Sequence, residues 1–255
     1  MSKVLWNDFT APELKAAAAA NPVVILPIGS TEQHGPHLPV QVDSLLVSEV
    51  ARRAAERMAP PALVMPVVWT GLAEHHMNLG GTVTLDFATF HALVRQICLS
   101  ITRQGFRRIA ILNGHGGNIL AVNLLSGELA KEVPGVVAVA TYFVLAQSRF
   151  APLLDRQEGV RHACEAETAM MLALRPDLVD LEAAARVDAP AEGLSTEGFA
   201  RWRPIEHWSA SGVIGFPAAA SAEKGQRLIE AAAAAVAEHL DDTDLWLPAA
   251  PQRLI

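Results

Sequence analysis

Two short runs of unbroken apolar residues constrain this chain most. Val23-Val24-Ile25-Leu26-Pro27-Ile28 and Ile109-Ala110-Ile111-Leu112 show no polar alternation, so neither suits a strand with one wet face. Runs of this length suit strands covered on both sides, as in a parallel sheet between layers of helices. Each ends in a polar, glycine-bearing segment: Gly29-Ser30-Thr31-Glu32-Gln33-His34 after the first, and Asn113-Gly114-His115-Gly116-Gly117-Asn118 after the second. In open parallel sheets, ligands gather beyond the carboxyl ends of the strands. Glu32, His34 and His115 stand at those ends, and Asp43 follows shortly after the first. Imidazole and carboxylate together suit zinc, manganese or iron better than calcium, which prefers oxygen alone. A polar loop and a tight turn with an exposed histidine are the plainer readings of each segment taken singly.

A third cluster, His162-Ala163-Cys164-Glu165-Ala166-Glu167, opens a helical stretch ended by Arg175-Pro176. Ala163, Glu167, Met170, Met171 and Leu174 share one stripe at helical spacing. Glu165 lies roughly 200° away around the axis, at about 100° per residue. Glu167 is therefore a carboxylate within an apolar face, and such a group needs a metal or a paired cation. An arginine partner is the alternative to a metal. Glu165 reads as a solvated or supporting group, and His162 at the helix start can face the same site.

The remaining chain fits one α/β architecture. Thr10-Ala11-Pro12-Glu13 is a capping box with proline in the first turn. Asp43 has a second reading as the cap of a helix from Ser44 to Met58, and Asn118 as the cap of a helix from Ile119 to Val133. Strands are expected at 62–68 and 136–143, and helices at 87–104 and 221–240. The stretch from Val187 to Phe216 is irregular and carries Trp202, His207 and Trp208. A loop of that length is usually functional or ordered against a partner subunit. No internal repeat or linker divides the chain, so residues 1–255 are expected to form a single three-layer α/β/α domain with a mostly parallel central sheet.

Composition excludes several partners. Hydrophobic residues make up 51% and charged residues 18%, enough for a large core, and the net charge is −7. That balance argues against nucleic acid or an anionic membrane. The two cysteines, Cys98 and Cys164, make no disulfide framework and read as small buried thiols. No secretory signal or membrane-length apolar run is visible, so a cytoplasmic location is expected.

Taken together, Gly29-Ser30-Thr31-Glu32-Gln33-His34-Gly35-Pro36-His37-Leu38-Pro39 with Asp43, Asn113-Gly114-His115-Gly116-Gly117-Asn118, and His162-Ala163-Cys164-Glu165-Ala166-Glu167-Thr168 resemble the creatininase family of metal-dependent amidohydrolases. The resemblance spans nearly the whole chain. It implies two divalent ions per chain, zinc first with manganese or iron as alternatives, held by Glu32, His34, Asp43, His115 and Glu167, with Asp43 bridging. It also implies a homo-oligomer, dimer or hexamer. Creatininase itself has a tyrosine and a glutamate where this chain has Gly116 and Gly117, and a tryptophan–aspartate pair where it has Glu158 and Gly159. Both departures argue against creatinine as substrate. The Gly-Gly form is more similar to branches that deformylate a formamidopyrimidine nucleotide or cleave the mycofactocin precursor peptide.

The expected chemistry is hydrolysis of a C–N amide bond, linear or cyclic, in a small molecule or short peptide, by a hydroxide between two metals. His162 and Asp43 are the catalytic candidates. Gly116 and Gly117 would hydrogen-bond the developing oxyanion through their N–H groups, and His76 and His162 would line the substrate pocket. Trp202 to Trp208 suit either the pocket wall or a subunit contact. A non-catalytic member whose metal braces the fold is the rival, although structural zinc sites are usually closed and cysteine-rich.

Overall fold

The computed structural model describes residues 3–187 and 201–247. Strands β1 (Val23–Ile28), β2 (Leu63–Val64), β3 (Arg108–Asn113) and β4 (Val136–Thr141) form a sheet of order β2-β1-β3-β4. All three pairings are parallel, with Ile25 opposite Ala110 and Ala110 opposite Ala138. The helices are α1 (Ala11–Ala17), α2 (Val42–Arg57), α3 (Phe87–Arg103), α4 (Ile119–Glu132), the single-turn α5 (Tyr142–Leu145) and α6 (Gln147–Phe150), α7 (Glu165–Leu174), the short α8 (Leu181–Ala184) and α9 (Ala222–Asp241).

Alternate residues of β1 and β3 serve opposite layers. Ile25, Ala110 and Leu112 pack with α2, α7 and α9, including Leu46, Val50, Met170, Leu228 and Val236. Val24, Leu26, Ile109 and Ile111 pack with α3 and α4, including Phe90, Val94, Ile101, Val122 and Leu125. Every residue of β1 is buried. Fully burying each such side chain stabilises the fold by ~1.5–3 kcal/mol before entropy is charged against it. This two-sided burial is why the run could not alternate.

Several local expectations need correction. The strand expected over 62–68 pairs regularly only at Leu63 and Val64. Pro66 has no N–H for the ladder, so the chain continues as single contacts, with Met65 N–H on Ile25 O and Val68 N–H on Pro27 O. β4 stops at Thr141 because Tyr142 starts a helical turn. α2 begins at Val42, so Asp43 lies inside its first turn and is not its cap. Asn118 makes no capping bond; its side chain turns inward to Gly29 O and Asn113 Oδ1. Of the irregular stretch from Val187 to Phe216, residues 188–200 lie outside the described residues.

Ser221 does cap α9, its Oγ accepting from Lys224 N at 3.2 Å. Ser221→Ala is expected to cost about 1 kcal/mol, read as a lowered urea midpoint with an unchanged slope. Among the described residues, no helix is long and apolar enough to cross a membrane.

Candidate metal centre

The carboxyl ends of β1 and β3 lie side by side, Ile28 opposite Asn113. The loops that follow therefore share one crevice. The first turn of α2 reaches it because Gly29 and Gly114 leave room: a Cβ at Gly29 would sit 2.6 Å from Ser44 Cα, and one at Gly114 2.7 Å from Val47 Cβ. That close approach sets Asp43 between the two loops.

Asp43 joins two groups of donors. Its Oδ2 and Glu32 Oε2 each lie 3.0 Å from His115 Nδ1. Its Oδ1 lies 3.3 Å from His34 Nε2, which is 4.0 Å from Glu167 Oε1. In each triad, Glu32–Asp43–His115 and His34–Asp43–Glu167, the ligand atoms all lie within 4.8 Å of one another. All five residues are buried. All five sequence-derived ligand candidates thus converge, and among the described residues no arginine pairs with Glu167.

The hydrogen bonds around the triads orient the lone pairs. His115 Nε2 meets Leu72 O at 3.2 Å, and His34 Nδ1 meets Glu32 O at 3.1 Å. A carbonyl only accepts, so each ring in its neutral form carries its proton there and turns its bare nitrogen toward the carboxylates. A carbonyl partner that fixes the tautomer in this way is typical of metal-ligating histidine. Glu32 Oε2, His34 Nε2 and Asp43 Oδ2 take no hydrogen bond within the protein although they are buried. Buried orphans of this kind are costly, and a pair of cations would satisfy them together. The donor set fits two borderline divalent ions.

Electrostatics without metal point the same way. Burial and the neighbouring Asp43 and Glu32 push Glu167 up to about 7, against the pull of His34. Burial opposes charge on His34, yet Asp43, Glu167 and Glu32 hold it up at about 9. The crowded carboxylates recruit protons where cations would otherwise serve.

A third group, Glu32, His76 and His162, adjoins the first triad. His76 Nε2 and His162 Nδ1 lie 3.3 and 3.5 Å from Glu32 Oε1. Gln33 holds both rings from behind. Its Oε1 accepts from Gly35 N, so its amide nitrogen faces His76 Nδ1 at 2.7 Å and His162 Nε2 at 2.9 Å. His162 Nε2 also meets Gln33 O at 2.8 Å. This nitrogen has both an acceptor and a donor in reach, so either neutral tautomer of His162 is accommodated. That arrangement suits a group that takes and returns a proton.

Two other positions in the third cluster differ from expectation. Ala163 has φ +54°, a left-handed turn, so α7 begins at Glu165 and His162 points back to the cleft. Glu165 is not solvated. It is fully buried and pairs with Lys224, while its carboxylate accepts from Asp155 N and Arg156 N. Cys98 and Cys164 are both buried, and burial pushes both thiols up to about 12, which keeps them neutral.

The triads floor a cleft of about 290 Å³. Gly116, Gly117, His76 and His162 line it, together with His75, Phe143, Val160, Arg161, Ile205, Trp208 and Ile214. Of the two tryptophans, Trp208 forms wall, whereas Trp202 is exposed in a neighbouring hollow. Gly117 has a sharper role than an N–H donor alone: a Cβ there would sit 2.4 Å from both His115 Nε2 and Leu72 O, in the path of the bond that orients the ring.

Neither Gln33 as a brace nor Asn113, whose Nδ2 donates to His115 O and whose Oδ1 accepts from His115 N, carries a spacing signal of its own. Both sit within the ligand motifs, and that adjacency was the one available signal. His75, next to His76 in the chain, stacks on His115 at 5.8 Å.

The family model for creatininase, described as creatinine amidohydrolase, matches residues 7–240. Creatinine amidohydrolase of Pseudomonas putida is 32% identical, over 93% of this chain and 94% of its own. A mycofactocin precursor peptide peptidase of Mycolicibacterium smegmatis is 31% identical, over 81% of this chain and 79% of its own. The solved structure of a manganese creatininase superposes with a TM-score of 0.78 at 30% identity, covering 94% of this chain and 98% of that one. With a match from end to end of the sheet and across all three motifs, the chain belongs to the creatininase family of hydrolases.

Proposed function

We propose that this protein is a dinuclear metal-dependent hydrolase that cleaves the C–N bond of a small amide, linear or cyclic. The observation that carries the reading is the sharing of Asp43 by two three-donor triads on the floor of one cleft. Glu32, Asp43 and His115 would hold one ion, and His34, Asp43 and Glu167 the other. Zinc or manganese bound there would acidify water and polarise the amide carbonyl.

The chain supplies the rest. The Gly116 and Gly117 N–H groups stand at the N-terminal end of α4, where the helix dipole favours developing negative charge. His162 Nδ1 takes a proton from the attacking water and returns it to the leaving nitrogen, while Gln33 steadies the ring. One water is consumed, the C–N bond breaks, and a carboxylate and an amine are released. Apolar walls from Phe143, Ile205 and Trp208 restrict water around the reacting bond. The cleft is at the small end of the ~300–1,000 Å³ range of ligand pockets, which favours a small molecule over an extended peptide. Assembly into a homo-oligomer belongs to the same reading. It is supported by Leu120 and Leu124 standing 84% and 60% exposed on α4, and light scattering would give the subunit count.

The test is a panel of formamides, lactams and N-acyl amines set beside phosphate esters, using metal-supplemented protein. Amide turnover that a chelator removes and zinc or manganese restores is expected; turnover of phosphate esters alone would overturn the reading. His162→Ala is expected to keep its metal and slow turnover by about 10²-fold or more. Metal lost together with the ring would make His162 a ligand instead.

A further inference from the structure

We propose that Arg161 makes this cleft selective for amides that carry a free carboxylate. The inference rests on the amide-hydrolase reading above and names its substrate class. Apart from the metal-centre residues and their histidines, the side chains of the cleft wall are apolar, Phe143, Val160, Ile205, Trp208 and Ile214, with one exception. Arg161 is that exception, and among the described residues it brings the only side-chain cation of the wall that is always charged.

Two neighbouring basic groups are committed elsewhere. Lys224 is tied to Asp155 and Glu165, and the Arg156 guanidinium lies 4.4 Å over the Phe216 ring. Arg161 has no carboxylate partner among the described residues, and it is an exposed residue of the cleft lining. Its backbone is nevertheless fixed. Its N–H donates to Cys164 Sγ at 3.3 Å, and the next carbonyl, His162 O, accepts from Ile214 N at 2.8 Å. The guanidinium therefore starts from a rigid anchor directly beside His162.

A planar fork of donors in an apolar-walled cleft matches a carboxylate in two-point geometry. Two bound divalent ions more than offset Glu32, Asp43 and Glu167, so the loaded site does not repel an anion. The small volume limits how far the carboxylate can stand from the reacting carbonyl. Together these features describe an N-acyl amino acid or a cyclic amide bearing an acid group.

Two probes that differ in charge and little in shape test this: N-acetylglycine and N-acetylglycinamide, titrated calorimetrically into metal-loaded wild type, Arg161→Gln and Arg161→Lys. Turnover of the matching N-formyl pair is followed alongside. The wild type is expected to bind the acid about 10- to 100-fold more tightly, as a charge-assisted contact would give. Arg161→Gln is expected to bring that ratio close to one, and Arg161→Lys to restore part of it. Equal affinity in the wild type, or a preference that survives in Arg161→Gln, would overturn the proposal; the latter would place the carboxylate on the metals. A binding preference that depends on Arg161 without turnover of any amide would contradict the hydrolase reading and leave the anion site standing.

Discussion

Asp43→Ala is expected to strip both ions from the protein and to lower amide turnover by roughly 10³-fold or more. Metal ions contribute several kcal/mol to such transition states, and each 1.4 kcal/mol is a factor of ten. The basis is geometric. Asp43 places one oxygen 3.0 Å from His115 Nδ1 and the other 3.3 Å from His34 Nε2, so one truncation removes a donor from each triad. Truncating an end residue has a narrower effect. His115→Ala should empty the position beside Glu32, and Glu167→Ala the position beside His34, each leaving one ion. Metal content per chain, measured with a circular dichroism spectrum to confirm folding, separates these cases. Full metal content in Asp43→Ala would remove it from the bridging position.

Gly225→Ala is expected to destabilise the fold by about 3 kcal/mol. Replacing a helix-interior glycine by alanine ordinarily stabilises by ~1 kcal/mol, so the sign is the test. Here α9 crosses α7 with its backbone nearly touching. A Cβ on Gly225 would sit 1.8 Å from Ala169 O and 2.8 Å from Met170 N. Both atoms belong to backbone and cannot turn aside, so the helices must separate within a close-packed core. Because α7 carries Glu167, the same change should weaken metal binding on the His34 side. A urea midpoint that rises in Gly225→Ala would show that the helices have room.

Much of this was legible in sequence where the signal is local. The apolar runs of β1 and β3 could hardly be read otherwise, since both faces are covered, and their polar ends fell where parallel strands deliver ligands. Glu167 stood out as one carboxylate in an apolar stripe. What stayed hidden depends on contacts between distant segments. Glu165 looked solvated from its helical phase, yet Lys224, 59 residues later, closes over it. Asn118 has the type and position of a helix cap, but buried carbonyls and amides across the crevice claim its side chain. Pro66 shortened the expected strand through a missing N–H, a local signal that the apolar run around it outweighed. Gln33 was invisible as a brace because a glutamine between two ligand-type residues has no periodicity or spacing of its own.

Two ions sharing Asp43 would be visible directly. Anomalous-difference density from crystals of the metal-loaded protein, collected at the zinc and manganese edges, tests for them best because it counts, places and identifies the ions at once. Two peaks are expected, one among Glu32, Asp43 and His115, the other among His34, Asp43 and Glu167. A single peak, or a peak among Glu32, His76 and His162 with the His34 position vacant, would contradict that sharing.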